Sequence, residues 1–125
     1  MFLRMKNYGN TKFKINMKQK DVCYVNLDPT VGREINKTRP CVVVSPDEMN
    51  NHLGTVIIVP ITSKERRIPT RIYVDKKGTG LTQRNNWALL DQIKTVDKIR
   101  LAPRIGVISQ DTWEQISAKL REMFE

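Results

Sequence analysis

The chain is built from short apolar runs, most of them rich in β-branched residues, and each is closed by aspartate, serine or proline. Runs of this length between turn residues are typical of β-strands, because branched side chains pack well on a pleated surface. None approaches the length of a membrane-spanning helix. The sequence therefore predicts a mainly β domain of about five to seven strands. The runs lie at residues 22–27, 41–44, 56–59, 71–74, 87–90 and 105–108.

Two segments carry helix signals instead. Ser45 is expected to cap a short internal helix, with Pro46 in its first turn and Glu48 completing a capping box. Asp111 is expected to cap a C-terminal helix. Short strands, tight turns and a terminal helix together indicate an α+β domain organised as a small β-barrel. The predicted apolar face of the last helix consists of Trp113, Ile116, Leu120, Met123 and Phe124. Tyr73 and Trp87 each lie within an apolar strand, so we expect them in the core rather than as base-stacking platforms.

A length of 125 residues fits one domain, which can bury a core without disulfides or metal. Cys23 and Cys41 each lie in a β-branched run, where a cysteine usually behaves as a small buried hydrophobe. His52 is the only histidine, and we expect it to be structural or exposed, with no metal and no cofactor in the protein. Residues 1–4 lack the apolar stretch of a secretory signal, so we expect a cytoplasmic protein with no membrane partner.

The formal net charge of +9 is concentrated near the N-terminus. Residues 1–20 carry six basic and no acidic side chains, whereas residues 21–125 carry 16 basic and 13 acidic ones. We therefore predict a basic, flexible extension at residues 1–17 and a folded domain at residues 18–125. An RNA-binding site has to be argued from local clusters in that domain, because net charge alone is weak evidence.

The sequence lacks metal-ligand spacing, a glycine-rich phosphate loop and a nucleophile elbow. Metal-free cleavage of RNA remains open to such a chain, because the 2′-hydroxyl of the substrate supplies the nucleophile. The protein then has to align that hydroxyl, neutralise the charge that develops on phosphorus and move protons.

Three segments, in order along residues 18–125, carry a family resemblance. The first segment runs from Lys20 to Thr30 and continues through Gly32, Glu34 and Arg39-Pro40 to Ser45-Pro46. The second is Pro60-Ile61-Thr62-Ser63, and the third is residues 91–97. In this order they resemble the MazF/PemK toxins of type II toxin–antitoxin systems. The resemblance implies an SH3-like barrel related to the gyrase-poisoning CcdB toxins.

The resemblance also implies a homodimeric enzyme that cuts single-stranded RNA at specific sequences and leaves 2′,3′-cyclic phosphate and 5′-hydroxyl ends. The implied partner is an acidic antitoxin with a disordered segment that folds on binding. DNA would be contacted only indirectly, through that antitoxin.

The main catalytic pair of the relatives falls on Arg39 and Thr62, and the acid that some relatives use as a base falls on Glu34. An arginine fork suits phosphate oxygens, a threonine hydroxyl can bond or relay a proton, and a glutamate can accept one. Taken without the resemblance, these three residues are better interpreted as a surface arginine, an ordinary strand end and a solvated loop acid.

The remaining predicted contacts to RNA come from the first loop, the basic loop after Thr62 and the 91–97 motif. Two departures from the family stand out: Ile35 replaces a glutamine of the first loop, and Leu89 replaces an arginine that pairs with the aspartate in some relatives. A structural role for Asp91 is an equal alternative, and Asn85 and Asn86 are further groove candidates. The predicted RNA-binding residues are Arg33, Asn36, Lys37, Ser63, Lys64, Arg66, Arg71, Arg84, Asp91 and Gln92.

Two other functions stay open at this point. A binding-type toxin acting on gyrase would use C-terminal hydrophobic side chains, which here complete the face of the last helix. A non-catalytic RNA-binding barrel would shift RNA in a gel and leave it intact.

Overall fold

The computed structural model describes residues 16–125. The predicted extension therefore lies outside the described residues except for its last two positions, and its division from the domain stays a prediction. Met17, which we had assigned to the extension, is only 1% exposed and packs in the core. The described part contains two helices, α1 (Asp47–His52) and α2 (Gln110–Met123), and two 3₁₀ turns, Leu90–Gln92 and Lys98–Arg100. Its strands are β1 (Asp21–Asn26), β2 (Thr38–Val43), β3 (Thr55–Thr62), β4 (Arg71–Tyr73), β5 (Trp87–Leu89), β6 (Lys94–Asp97) and β7 (Leu101–Val107).

The seven strands form one antiparallel sheet in the order β4-β5-β3-β2-β1-β7, with β6 paired to β3 off this path. β3 is long enough to serve two neighbours: its first half pairs with β6 and its last two residues pair with β5. Within the described strands no pairing closes the ring, so the sheet is open. The predicted α+β fold, mainly β with an internal and a C-terminal helix, is confirmed.

Both faces of the sheet are buried, because successive side chains of a strand point to opposite sides. Val22 and Val42 are cross-strand partners and belong to a cluster that we name the helix-side core, where Ile116 of α2 is fully buried. The next pair, Cys23 and Cys41, belongs to a second cluster that we name the inner core. The α2 side chains that pack against the helix-side core, as predicted, are Trp113, Leu120 and Met123.

The two cysteines are free and buried, which confirms their predicted role as small hydrophobes. Burial raises the pKa of the Cys23 thiol to about 12, and the charge of Asp21 adds to this shift. The pKa of Cys41 is raised as well, again mainly by burial. Both thiols are therefore protonated at neutral pH and act as packing groups.

The predicted helix caps are wrong at both helices. α2 begins one residue earlier than Asp111, because the Ser109 hydroxyl accepts a hydrogen bond from the Thr112 backbone N–H. The capping box at Ser45 does not form, since α1 starts at Asp47 and its N-cap makes no side-chain bond. Ser45 instead donates its hydroxyl to Asn50 Oδ1 at 2.5 Å and ties α1 to the start of β3.

Two apolar assignments are also wrong. Phe124 is 71% exposed, because α2 ends at Met123 and the next residue leaves the helical face. Tyr73, which we expected in the core, is 48% exposed because β4 is a three-residue strand at the edge of the sheet.

Strand β6 was not predicted, since its sequence Lys-Thr-Val-Asp contains a single buried apolar residue. Within residues 16–125 no helix has the length and hydropathy needed to cross a membrane.

The turn after β4 packs directly on β7, backbone against backbone. The Val107 N–H donates to the Gly78 carbonyl at 2.9 Å. A Cβ atom built on Gly80 would lie 2.4 Å from the Ile105 carbonyl oxygen, and one built on Gly106 would lie 2.3 Å from the Thr79 carbonyl carbon. Gly80 also has a positive φ of 76°. Glycine is therefore required at both positions for this contact to form.

Candidate active site

The register of β2 and β3 brings Arg39 and Thr62 to the same end of the sheet. Cys41 pairs with Pro60, and continuing this antiparallel register by two residues places Arg39 opposite Thr62. The strands reach this far because β2 begins at Thr38 and β3 ends at Thr62. Both residues line one pocket of about 200 Å³. The predicted catalytic pair is thus assembled by strand pairing alone.

Arg39 is half-buried and held by its backbone surroundings. Its Nε donates to the Asn36 carbonyl at 3.0 Å. No carboxylate within residues 16–125 forms an ion pair with it. The guanidinium therefore keeps an uncompensated charge at the pocket, which is the condition for binding a phosphate.

Thr62 is buried, with 9% of its surface exposed. It is the last residue of β3 and pairs with Trp87 of β5. Its Oγ1 accepts the Lys64 N–H at 3.2 Å, in a local turn that begins the basic loop. This bond uses a lone pair and leaves the hydroxyl proton free to donate. Thr62 can therefore hold an anionic oxygen beside Arg39.

Glu34 does not reach this pocket in the structure. Its Oε1 accepts the Val31 N–H at 2.9 Å, which closes a turn within the loop between β1 and β2. It forms no ion pair with Arg39 and does not line the pocket. The structure therefore brings together two of the three predicted catalytic residues.

The predicted RNA-binding residues of the first loop differ in how far they are hydrogen-bonded within the protein. Arg33, Asn36 and Lys37 are exposed, but the Asn36 carbonyl accepts the Arg39 guanidinium. Lys37 has a positive φ of 68°, and its N–H donates to Asp28 Oδ1 at 3.1 Å. The predicted contacts in the strand-end loops, Ser63, Lys64, Arg66 and Arg84, are all exposed, and none forms an ion pair within residues 16–125.

Asp91 and Arg71 form a closed pair away from the pocket lining. Two guanidinium nitrogens of Arg71 donate to the two carboxylate oxygens at 3.2 Å each, and the Thr70 hydroxyl donates to Oδ1 at 3.1 Å. Burial by itself raises the pKa of Asp91, but the hydrogen bonds and charge of Arg71, with the Thr70 bond, outweigh it and hold the pKa below its ordinary value. Arg71 is thus neutralised within the protein.

Gln92 has a structural partner too. Its Oε1 accepts the Ile35 N–H at 3.3 Å, across 57 positions of sequence. This bond ties the loop that carries Glu34 to the 3₁₀ turn that carries Asp91. The glutamine therefore helps to set the position of the first loop.

The pocket also contains residues that sequence reasoning missed. Tyr24 enters it from β1, where it pairs with Pro40. A weak signal existed, since Tyr24 shares the period-2 face of Val22 and is the polar-tipped member of that run. Leu81, Thr82 and Gln83 carried no signal at all, because the loop after Gly80 has no periodicity. No group of three or more His, Cys, Asp and Glu residues is arranged around a common point in the described chain.

The fold defines the class of protein first. MazF from Deinococcus radiodurans has a similar structure, with a TM-score of 0.77, 21% sequence identity, and coverage of 89% of this chain and 98% of that one. An endoribonuclease from a Mycobacterial species, solved in complex with its cognate antitoxin, gives a TM-score of 0.71 at 23% identity, over 86% and 94% of the two chains. The architecture is therefore that of the MazF toxins.

The sequence comparisons then give the family. The model of the PemK-like, MazF-like toxins of type II toxin–antitoxin systems matches residues 18–124. Endoribonuclease EndoA of Bacillus subtilis (strain 168) is 32% identical over 107 residues, which cover 84% of this chain and 91% of that protein. The chain belongs to the PemK-like, MazF-like toxin family.

Proposed function

We propose that this toxin is a metal-independent endoribonuclease that cuts single-stranded RNA at specific sequences. The observation that carries the proposal is the convergence of Arg39 and Thr62 in one pocket, with the arginine charge unpaired within the described chain. The Bacillus subtilis relative is named an endoribonuclease. The fold and family agree with that activity.

In the proposed reaction, the 2′-hydroxyl of a ribose attacks the adjacent phosphorus. The bond from O2′ to phosphorus forms and the bond from phosphorus to O5′ breaks, which leaves a 2′,3′-cyclic phosphate and a 5′-hydroxyl. Arg39 neutralises the charge on the non-bridging oxygens of the transition state, and the Thr62 hydroxyl donates to one of them. One proton leaves the 2′-hydroxyl for a base, and one is delivered to the departing O5′.

We assign the base to Glu34, on the condition that the loop moves when RNA binds. The carboxylate now accepts the Val31 N–H, and the loop is tied to the body through Gln92. Breaking the bond from the Val31 N–H frees the Glu34 carboxylate, while the bond from the Glu34 N–H to the Val31 carbonyl and the Gln92 anchor stay in place. The loop therefore has a fixed end and a releasable end.

The RNA backbone would lie across the exposed basic side chains around the pocket, where charge and accessibility favour phosphate contacts. Arg71, Asp91 and Gln92, which we predicted to touch RNA, are engaged within the protein and would shape the groove wall. The exposed set consists of Arg33, Asn36, Lys37, Ser63, Lys64, Arg66 and Arg84.

The same proposal includes the cellular setting. The protein would be a cytoplasmic homodimer, held inactive by an acidic antitoxin whose disordered segment folds into the groove. The Mycobacterial endoribonuclease with a similar fold was solved with its cognate antitoxin. DNA would be bound only by the antitoxin, and the part of the chain before Met17 would form a basic extension to the domain.

The test is incubation of the purified chain with a long single-stranded RNA in EDTA, followed by mapping of the ends. Discrete cuts with cyclic-phosphate and 5′-hydroxyl ends are expected. Arg39→Ala should leave the RNA intact, whereas Arg121→Ala on the exposed side of α2 should cut like the wild type. Intact RNA with the wild-type chain would disprove the activity, and wild-type cutting by Arg39→Ala would disprove the site.

A binding-type toxin acting on gyrase is the second candidate, and one observation favours it. Phe124 is 71% exposed at the end of α2, whereas we had expected it to be covered. A supercoiling assay with the purified chain and with Phe124→Ala tests this candidate. Inhibition that depends on Phe124 would support it, and unaffected supercoiling would exclude it.

A further inference from the structure

The pocket holds more than the two proposed catalytic residues. Its apolar part is formed by Tyr24, Pro40, Ile61 and Leu81, and its polar part by Arg39, Thr62 and the loop after Gly80. An apolar cavity of about 150 Å³ in a protein can accept benzene. A pocket of about 200 Å³ therefore has room for one six-membered aromatic ring with its substituents.

Asn86 is the most deeply buried polar residue of this pocket, at 1% exposure. Its Nδ2 donates to the Gln83 carbonyl at 3.0 Å. This bond fixes the orientation of the amide, because the opposite orientation would place two oxygens against each other. Asn86 Oδ1 has no hydrogen-bond partner among residues 16–125.

A buried acceptor without a partner is unfavourable, and an acceptor that lines a pocket is satisfied when a bound molecule donates to it. The group that would satisfy Asn86 Oδ1 is a donor N–H. The aromatic wall at Tyr24 and the apolar floor at Ile61 and Leu81 suit a flat ring that carries such a donor. A nucleobase combines both properties.

We propose that this pocket takes one pyrimidine base of the RNA, next to the phosphate that is cut, and that Asn86 Oδ1 selects it by accepting an N–H from its edge. Uracil offers N3–H, and cytosine offers its exocyclic amino group. This inference rests on the proposed ribonuclease function and adds a specificity-determining residue to it. A fused purine needs a larger cavity than a single ring, so a pocket of this volume fits a pyrimidine more closely.

Asn85 provides a matched control, because it is the same residue type one position away. Its Oδ1 accepts the Tyr73 hydroxyl at 3.2 Å, it is exposed, and it does not line the pocket. Changing Asn85 to serine alters the same chemistry outside the pocket. Any effect specific to Asn86 therefore reports on the pocket itself.

The first experiment measures base preference rather than rate. A single-stranded RNA library randomised around the cut is digested, and the ends are sequenced. The wild type and Asn85→Ser should prefer a pyrimidine at one fixed position beside the cut, and Asn86→Ser should lose about tenfold of that preference. A folded Asn86→Ser that keeps the wild-type preference at every position would overturn the proposal.

A second experiment uses only the wild-type chain, so it depends neither on the folding of a variant nor on cleavage. The side-chain amide signals of Asn86 and Asn85 are followed by NMR during titration with uridine, cytidine and adenosine 3′-monophosphates. A shift of the Asn86 signals with a pyrimidine nucleotide, larger than with adenosine and absent at Asn85, supports the pocket. Unmoved Asn86 signals with all three overturn it. Intact RNA in the first experiment together with a shift here would disprove the ribonuclease and retain the base pocket.

Discussion

Two clusters of this toxin contain the same kinds of side chain in opposite electrostatic settings. Arg39 and Thr62 meet at the ends of β2 and β3, and no carboxylate of the described chain pairs with the arginine. Arg71 and Thr70 both direct their donors at Asp91, so their hydrogen-bonding groups are occupied within the protein. One cluster is open to an anionic ligand, and the other has already bound its anion.

In these two clusters, residue type alone does not distinguish a binding site from a structural ion pair. Both arginines lie next to a threonine in space or in sequence, and both were predicted to be site residues. The difference is one aspartate. An arginine that is already paired must lose charge-assisted bonds before it can hold a phosphate, whereas an unpaired one does not.

The largest expected difference between the clusters is in catalysis. Arg39→Ala should lower the cleavage rate by about 10²–10³, because removal of a preorganised group that stabilises transition-state charge has this size of effect. The melting temperature should stay close to that of the wild type, since the side chain makes one bond, to the Asn36 carbonyl. Single-turnover cleavage of one RNA oligonucleotide measures the rate. An unchanged rate would remove the distinction between the clusters.

A smaller catalytic effect is expected at the threonines. Thr62→Val keeps the shape and removes the hydroxyl, so we expect a loss of about tenfold in rate, the worth of one neutral hydrogen bond in the transition state. Thr70→Val is the matched control in the closed cluster and should cut normally. Equal losses in the two variants would show that the closed cluster also takes part in the reaction.

The closed cluster should instead support stability. Arg71→Ala is expected to lower the free energy of unfolding by about 1 kcal/mol, because the pair is partly exposed and such pairs contribute modestly. Urea unfolding of wild type and variant measures the difference. Full stability combined with a strong loss of RNA affinity would move Arg71 from the structural to the binding group.

The smallest expected effect is the pH dependence of that support. The pKa of Asp91 is held below its ordinary value, so its contribution to stability is present above the unfolded pKa of about 3.9 and is lost as the pH falls through the folded pKa. The stability difference between wild type and Asp91→Asn should therefore be constant from neutral pH to about pH 5 and shrink in more acidic solution. A difference that grows on acidification would contradict the paired geometry.

Much of the fold was predictable, because it follows from local patterns. Short apolar runs predicted six of the seven strands, and the 3.6-residue period of α2 predicted its buried face at Trp113, Ile116 and Leu120. Strand β6 was missed, since pairing with β3 and not its composition makes it a strand. The cap at Ser45 failed for a related reason: its hydroxyl donates to Asn50 of α1 and accepts the Ile57 N–H of β3, and these bonds compete with the cap.

The candidate site was predictable only in part. Motif order identified Arg39 and Thr62, and the strand register brings them together. The ion pair between Arg71 and Asp91 joins positions 20 residues apart, and no local pattern distinguishes it from two groove residues. The same is true of Gln92 and Ile35, and of Asn86, whose unpaired oxygen is a property of the folded environment alone.

The backbone contact between residues 78–80 and β7, which requires Gly80 and Gly106, determines how this protein can be redesigned. Residues 81–86 begin immediately after Gly80, so this backbone contact anchors the start of the segment that would select the target base. A library that varies residues 82–86 while keeping both glycines changes the chemistry of that segment and preserves its anchorage. Keeping the two glycines preserves the fold, and varying residues 82–86 changes the cleavage specificity. Specificity can then be altered without redesigning the rest of the domain.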